Sequence, residues 1–125
     1  MSFSLKKHEI LRSKKTIREL FENGSSFFLY PFKVYYLPNP ESQNNQVLFS
    51  VSKRNFKKAV ERNLLRRRIR EAYRLNKNTL VSDQKESLSL YIALIYISKL
   101  KLPYRDIENK LKEVIVRLNK TKYQK

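Results

Sequence analysis

Residues 59–75 read AVERNLLRRRIREAYRL, and at about 100° per residue they sort into two arcs of a helix. Leu65, Ile69, Ala72 and Tyr73 share one arc. Arg62, Asn63, Arg66, Arg67, Arg70 and Arg74 fill the neighbouring arc, and Arg68 lies outside it. Such a helix must bury its apolar arc against another element, which leaves the arginines at the surface. Glu61 and Glu71 are the only acids in the segment, too few to neutralise it through pairs three or four residues apart. The arginine arc therefore repels itself unless an anion faces it. A guanidinium fork makes two parallel bonds to phosphate oxygens, and several forks on one helical face match a nucleic-acid backbone.

The whole chain repeats this imbalance. Its 125 residues carry 28 Lys and Arg against 11 Asp and Glu, a net charge of +17. An excess of that size calls for an anionic partner, with nucleic acid the leading one. A disordered basic tail would carry the same charge, but 41% of residues are hydrophobic and 12% aromatic, in periodic blocks that can build a core. The length fits one domain, residues 1–125, with 1–9 and 120–125 expected to fray. Gly24 is the only glycine, so flexible Gly-rich RNA-binding repeats are excluded.

The absence of cysteine excludes disulfides, thiolate metal sites and a cysteine nucleophile, and is compatible with a reducing cytoplasm. His8 is the only histidine, so a His-rich metal site is excluded too. It sits in a basic N-terminal stretch and reads as solvated. The longest apolar run, residues 90–97, falls well short of the about 20 residues that span a bilayer. The basic N-terminus lacks the apolar core of a signal peptide, and a cytoplasmic protein without membrane contact is expected.

Along the chain, Ser13 can cap a helix running to about Asn23, with Ile17, Leu20 and Phe21 on one face and Gly24 as its stop. Residues 27–37 alternate as a strand, with Phe32, Val34 and Tyr36 on one face and Lys33 and Tyr35 on the other. PNPESQNNQ, residues 38–46, reads as a hairpin loop before a second strand that turns Val47, Phe49 and Val51 inward. Residues 76–89 read as a polar loop and 90–97 as a buried central strand. Pro103 opens a last helix in which Ile107, Leu111, Val114, Ile115 and Leu118 share a face. The expectation is an α+β domain in the order α-β-β-(β)-α-β-α, with one mostly antiparallel sheet covered by helices.

From Phe49 the chain reads FSVSKRNFKKAVERNLLRRRIREAYR, and this segment resembles the bacterial ribonuclease P protein family. The likeness rests on Arg62-Asn63, Arg66-Arg67, Arg70-Glu71, Tyr73 and Arg74, with Ser52-Lys53 and Ala59-Val60 at matching spacing. Leu11, Phe21, Gly24 and residues 32–35 extend it more weakly over most of the chain.

The resemblance implies the fold of the second domain of ribosomal protein S5. It implies a protein subunit of an endoribonuclease holoenzyme that removes the 5′ leader of precursor tRNA, with the catalytic centre and most of the Mg²⁺ in an RNA subunit. The implied partners are ribonuclease P RNA and precursor tRNA, with no DNA. The RNA-subunit site would comprise Lys53, Arg54, Arg62, Asn63, Arg66, Arg67, Arg70 and Arg74. The leader would lie in a cleft between the first helix and the sheet, at Ile17, Phe21, Lys33 and Tyr35. Ile17 departs from the family, which commonly has Phe there, and Ile cannot stack on a base. For Phe21, plain core packing competes with ligand contact.

The residues themselves agree with that division of labour: the acids are scattered, where metal-assisted hydrolysis would want clustered carboxylates. Three rivals share the charge. A ribosomal-protein-like RNA binder would have no role in tRNA processing. A DNA-binding regulator would need the partner helix of a helix-turn-helix, and a stand-alone nuclease would need acid or histidine clusters.

Overall fold

The computed structural model describes residues 5–39, 44–80 and 89–122. Helix α1 (Lys14–Asn23) starts where the sequence signals it: the Thr16 N–H donates to Ser13 Oγ at 3.2 Å. A ten-residue helix is marginal alone in water, and α1 is held by Leu20, which is fully buried beneath it.

Gly24 ends α1 for a different reason than a left-handed cap. Its backbone is extended (φ −75°, ψ 158°), and its N–H closes the helix on the Leu20 carbonyl at 2.9 Å. A Cβ here would lie 2.4 Å from the Leu20 carbonyl oxygen and 2.9 Å from that of Tyr36. Close approach of two backbones, not positive φ, requires glycine.

The stretch expected as one strand over 27–37 is two strands, β1 (Ser25–Leu29) and β2 (Phe32–Asn39), paired antiparallel from Ser25 opposite Tyr36 to Leu29 opposite Phe32. Tyr30-Pro31 turns the chain between them. Proline has no N–H for a ladder, while side-chain alternation runs straight through the turn and hides it.

The second departure concerns partners. Strand β3 (Gln46–Val51) does not form a hairpin with β2, because β4 (Ser89–Tyr96) lies between them in the order β1-β2-β4-β3. β4 pairs antiparallel with β2 and parallel with β3. The physical reason is that β4 is apolar on both faces, so it is best placed inside the sheet with a neighbour on each edge. A parallel pair needs a crossover, which helix α2 (Ala59–Asn76) supplies. The expected α+β class and the mostly antiparallel pairing stand. Residues 40–43, within the stretch read as a hairpin loop, lie outside the described residues, as do 81–88 of the polar loop.

Each face of the sheet carries its own cluster. On one, α2 contributes Leu65, Ile69, Ala72 and Tyr73, the four residues of the predicted apolar arc. Helix α3 (Tyr104–Lys122) adds Ile107, Leu111, Val114, Ile115 and Leu118, over Phe32, Val34, Val47, Val51 and Leu94. On the other face Leu11, Leu20 and Ala93 form a smaller cluster, with Ile17, Tyr35, Leu37, Leu48 and Tyr91 packed around it. Leu80, inside the segment read as a polar loop, is buried in the larger core after a 3-10 turn over Lys77–Thr79.

Residues 5–9, expected to fray, include a 3-10 turn over Lys7–Glu9. The Glu9 carboxylate accepts from Lys77 Nζ at 2.8 and 3.0 Å and from the Lys6 N–H at 2.9 Å. The next residues lie along the sheet, where Ile10 bridges to Val47 and the Leu11 N–H donates to the Val47 carbonyl at 2.9 Å. Burial opposes the charge on Glu9, but Lys77 and the Lys6 N–H outweigh it and hold the carboxyl below its ordinary value of 4.5. A folded-state pKa that is depressed adds stability above the unfolded value and loses it as pH falls through the folded value. Glu9→Gln, which removes the Glu9 carboxylate charge from beside the mostly buried Lys77 ammonium, is expected to cost about 1–3 kcal/mol near neutral pH. Its denaturation free energy should also fall less than that of the wild type below about pH 4.5. Urea titrations across pH check both.

Candidate nucleic-acid interface

The arginine arc is not used uniformly. Asn63, Arg66, Arg67 and Arg70 line a groove whose other wall is Ile10, Leu48 and Phe49, so α2 and the β3 edge of the sheet form it together. Asn63 Oδ1 accepts from an Arg66 terminal nitrogen at 2.6 Å, which orients that guanidinium along the helix. Arg67 and Arg70 are exposed. The groove offers three guanidinium groups over a partly apolar floor, a shape and charge suited to a sugar-phosphate backbone.

The remaining basic candidates lie around it. Arg62 turns back to donate to the carbonyls of Phe56 and Lys57 at 2.9 and 2.8 Å, fastening the turn ahead of α2. Arg74 donates to both oxygens of Glu71 at 3.0 and 2.6 Å, and those bonds lower the Glu71 pKa. Arg68, outside the arc, donates to the Leu102 carbonyl at 2.7 Å and ties α2 to the segment before α3. Lys53 and Arg54 are exposed in the turn after β3, where Ser52 Oγ accepts the Arg54 N–H at 3.1 Å.

The second group comes together on the opposite face, beside α1. The Phe21 and Tyr35 rings meet edge to face with centroids 4.8 Å apart. Lys33 Nζ sits 5.0 Å from the Tyr35 centroid, and Ile17 packs against the same small cluster as Tyr35. Phe21 is 40% exposed, so it is only partly a core residue and presents ring surface to the solvent. Ile17, Phe21, Lys33 and Tyr35 thus gather beside α1 on one face of the sheet, with aromatic surface and a cation side by side.

The sheet register relates the two regions. Tyr35 and Leu48 both pair with Ala93, so they occupy one row across β2, β4 and β3. Two strand spacings separate them, about 10 Å. Leu48 lines the groove and Tyr35 the second group, both on the face that α1 covers, so the groove reaches round the β3 edge toward that group. Sequence alone does not reveal Ile10, Leu48 and Phe49 as groove residues: Leu48 and Phe49 show only strand alternation, and Ile10 reaches the groove through its bridge to Val47.

Among the described residues no group of three or more His, Asp or Glu could hold a metal ion, and no helix is long and apolar enough to cross a membrane. Several carboxylates are already paired, Glu9 with Lys77, Glu61 with Lys101, Glu71 with Arg74 and Glu113 with Lys110.

Comparison with known proteins gives one answer. A family model described as Ribonuclease P matches residues 5–119. The ribonuclease P protein component of Porphyromonas gingivalis is 34% identical over 121 residues, covering 94% of this chain and 88% of that protein. That of Chlorobium phaeobacteroides is 41% identical over 105 residues, covering 75% and 72%. Among solved structures, the Staphylococcus aureus RNase P protein superposes with a TM-score of 0.72 at 25% identity, over 91% of this chain and 97% of that one. The Thermotoga maritima RNase P protein shares the fold, with a TM-score of 0.73 at 24% identity over 87% and 96%. With its fold and nearly its whole length matched, the chain belongs to the ribonuclease P protein family.

Proposed function

We propose that this chain is the protein component of a bacterial ribonuclease P, binding the RNA subunit through Asn63, Arg66, Arg67 and Arg70 with Lys53 and Arg54 beside them. Arg62 and Arg74 stand at the margin of this surface and contribute charge. The cleft of Ile17, Phe21, Lys33 and Tyr35 holds the 5′ leader of precursor tRNA. The observation that carries this reading is the presence, on one sheet, of an arginine groove at the β3 edge and an aromatic and cationic group beside α1, with Leu48 of the groove only two strands from Tyr35. The first suits a structured RNA backbone and the second suits single-stranded nucleotides, whose bases stack on exposed rings.

In this reading the chain's own work is electrostatic and geometric. Its arginines fix it on the RNA subunit, and its cleft fixes the leader, so the phosphodiester to be cut is held in register. Mg²⁺ supplies the hydrolytic chemistry, and the carboxylates described here do not fit it, since they are dispersed and several are bound to Lys or Arg. The metal is therefore assigned mainly to the RNA subunit, and the setting is the cytoplasm, where precursor tRNA is made.

Replacing Tyr35 tests the cleft. In a holoenzyme rebuilt with ribonuclease P RNA, Tyr35→Ala is expected to weaken precursor tRNA binding by about tenfold, the loss of one stacked base. Mature tRNA binding should stay within about twofold, because it has no leader to stack. Equal losses for both RNAs in a filter-binding or fluorescence titration would remove Tyr35 from the leader site.

A further inference from the structure

The cleft does not end at Tyr35. One two-residue step along the strands, on the same face of the sheet, Phe28 of β1 pairs with Lys33 of β2, which pairs in turn with Ile95 of β4. Phe28 is 60% exposed. Lys33 Nζ lies 5.0 Å from the Phe28 centroid and 5.0 Å from the Tyr35 centroid, so one ammonium stands between two rings. Among the described residues no carboxylate forms an ion pair with it. Two ring faces stand against its positive charge, an attraction that a phosphate can exceed.

An exposed phenylalanine on an edge strand is a liability unless something covers it. The ammonium beside it selects what that is. Apolar partners would strand the charge, whereas a single RNA strand carries anionic phosphate and flat apolar bases in alternation. The order ring, cation, ring across Tyr35, Lys33 and Phe28 repeats the order base, phosphate, base of a dinucleotide step.

We propose that Phe28 and Lys33 form an additional nucleotide position that extends the cleft. Lys33 receives the phosphate between two neighbouring leader nucleotides, whose bases stack one on Tyr35 and the other on Phe28. This rests on the reading of the cleft as the leader site and deepens it, adding a residue that sets how many leader nucleotides the protein senses. Nothing in the spacing of Phe28 separates it from a core strand residue, because the turn at Tyr30-Pro31 decides which face it takes.

The test uses the reconstituted holoenzyme and precursor tRNAs whose leaders differ by one nucleotide. Wild-type affinity should rise in steps as the leader lengthens. Phe28→Ala should lose about five- to tenfold at one step and leave shorter precursors and mature tRNA unchanged. Phe28→Trp, which keeps a stacking surface, should restore that step, and Lys33→Gln should weaken the same step while lowering the salt slope by about one. A Phe28→Ala enzyme with every step intact overturns the proposal. So does an equal loss for mature tRNA, which would place Phe28 against another part of the substrate. If the wild type shows no dependence on leader length, the leader reading of the whole cleft fails first, an outcome distinct from the loss of the Phe28 step alone.

Discussion

A fourfold rise in salt is expected to weaken binding of ribonuclease P RNA to this chain on the order of 10³-fold. The expectation follows from about 6 phosphate contacts, each releasing condensed counterions, which gives a slope near −5 in log affinity against log salt. Arg66, Arg67 and Arg70 in the groove, with Lys53 and Arg54 beside them, are the groups best placed to make those contacts. Arg67→Ala or Arg70→Ala should each reduce the slope by about one and weaken the complex, since a lost charge-assisted bond is worth about 1.5–3 kcal/mol. Arg68→Ala should leave the slope nearly unchanged, because that guanidinium lies outside the arginine arc and is held toward the segment before α3 by the Leu102 carbonyl, and should lower stability instead. A flat salt response with tight binding would contradict the arginine groove as the RNA contact. Titrations at several salt concentrations read all three variants together.

Gly24→Ala is the second large effect. The added methyl would stand 2.4 Å from one backbone oxygen and 2.9 Å from another, and neither is a side chain that can swing aside. Moving the Leu20 carbonyl breaks the bond that closes α1, and moving the Tyr36 carbonyl disturbs β2. The expected cost is about 3 kcal/mol, or a fall in Tm of about 10 °C. The extended backbone at Gly24 makes the result diagnostic. Were the residue a left-handed cap, asparagine would rescue most of the loss. Here Gly24→Asn should be no better than Gly24→Ala, in thermal melts of the isolated chain. Because α1 forms one wall of the cleft, Gly24 variants should also lose leader discrimination.

What the sequence could reveal depended on how local the determining physics was. The apolar arcs of α2 and α3 were legible because helical period places residues such as Leu65 and Ile69, or Leu111 and Ile115, on one face whatever the rest of the chain does. The in-and-out pattern of Phe32, Val34 and Tyr35 was legible for the same reason. Strand order was not, since alternation states which face a residue takes and not which strand lies beside it; β4 intervenes between β2 and β3 because of its own two-sided burial. Gly24 was legible as the stop of α1, but the close backbone approach that requires glycine there was not, because it depends on where Tyr36 of β2 lies.

The candidate site divides along the same line. Asn63, Arg66, Arg67 and Arg70 could be grouped from spacing, while the diversion of Arg62 to the Phe56 and Lys57 carbonyls depends on the turn before the helix. Ile17, Phe21, Lys33 and Tyr35 were assembled by likeness to a family, and their contacts in space are what composition and period could not supply.

As a ribonuclease P protein, this chain is expected to assist an RNA catalyst in removing tRNA leaders. The most direct measurement is the rate of 5′ cleavage of precursor tRNA by ribonuclease P RNA at low Mg²⁺, with and without the protein. Addition of the wild-type chain should restore cleavage that the RNA alone barely supports, and Arg67→Ala should require more protein to reach the same rate. Tight RNA binding with no stimulation of cleavage at any protein concentration would contradict a role in leader removal and leave a structural RNA binder in its place.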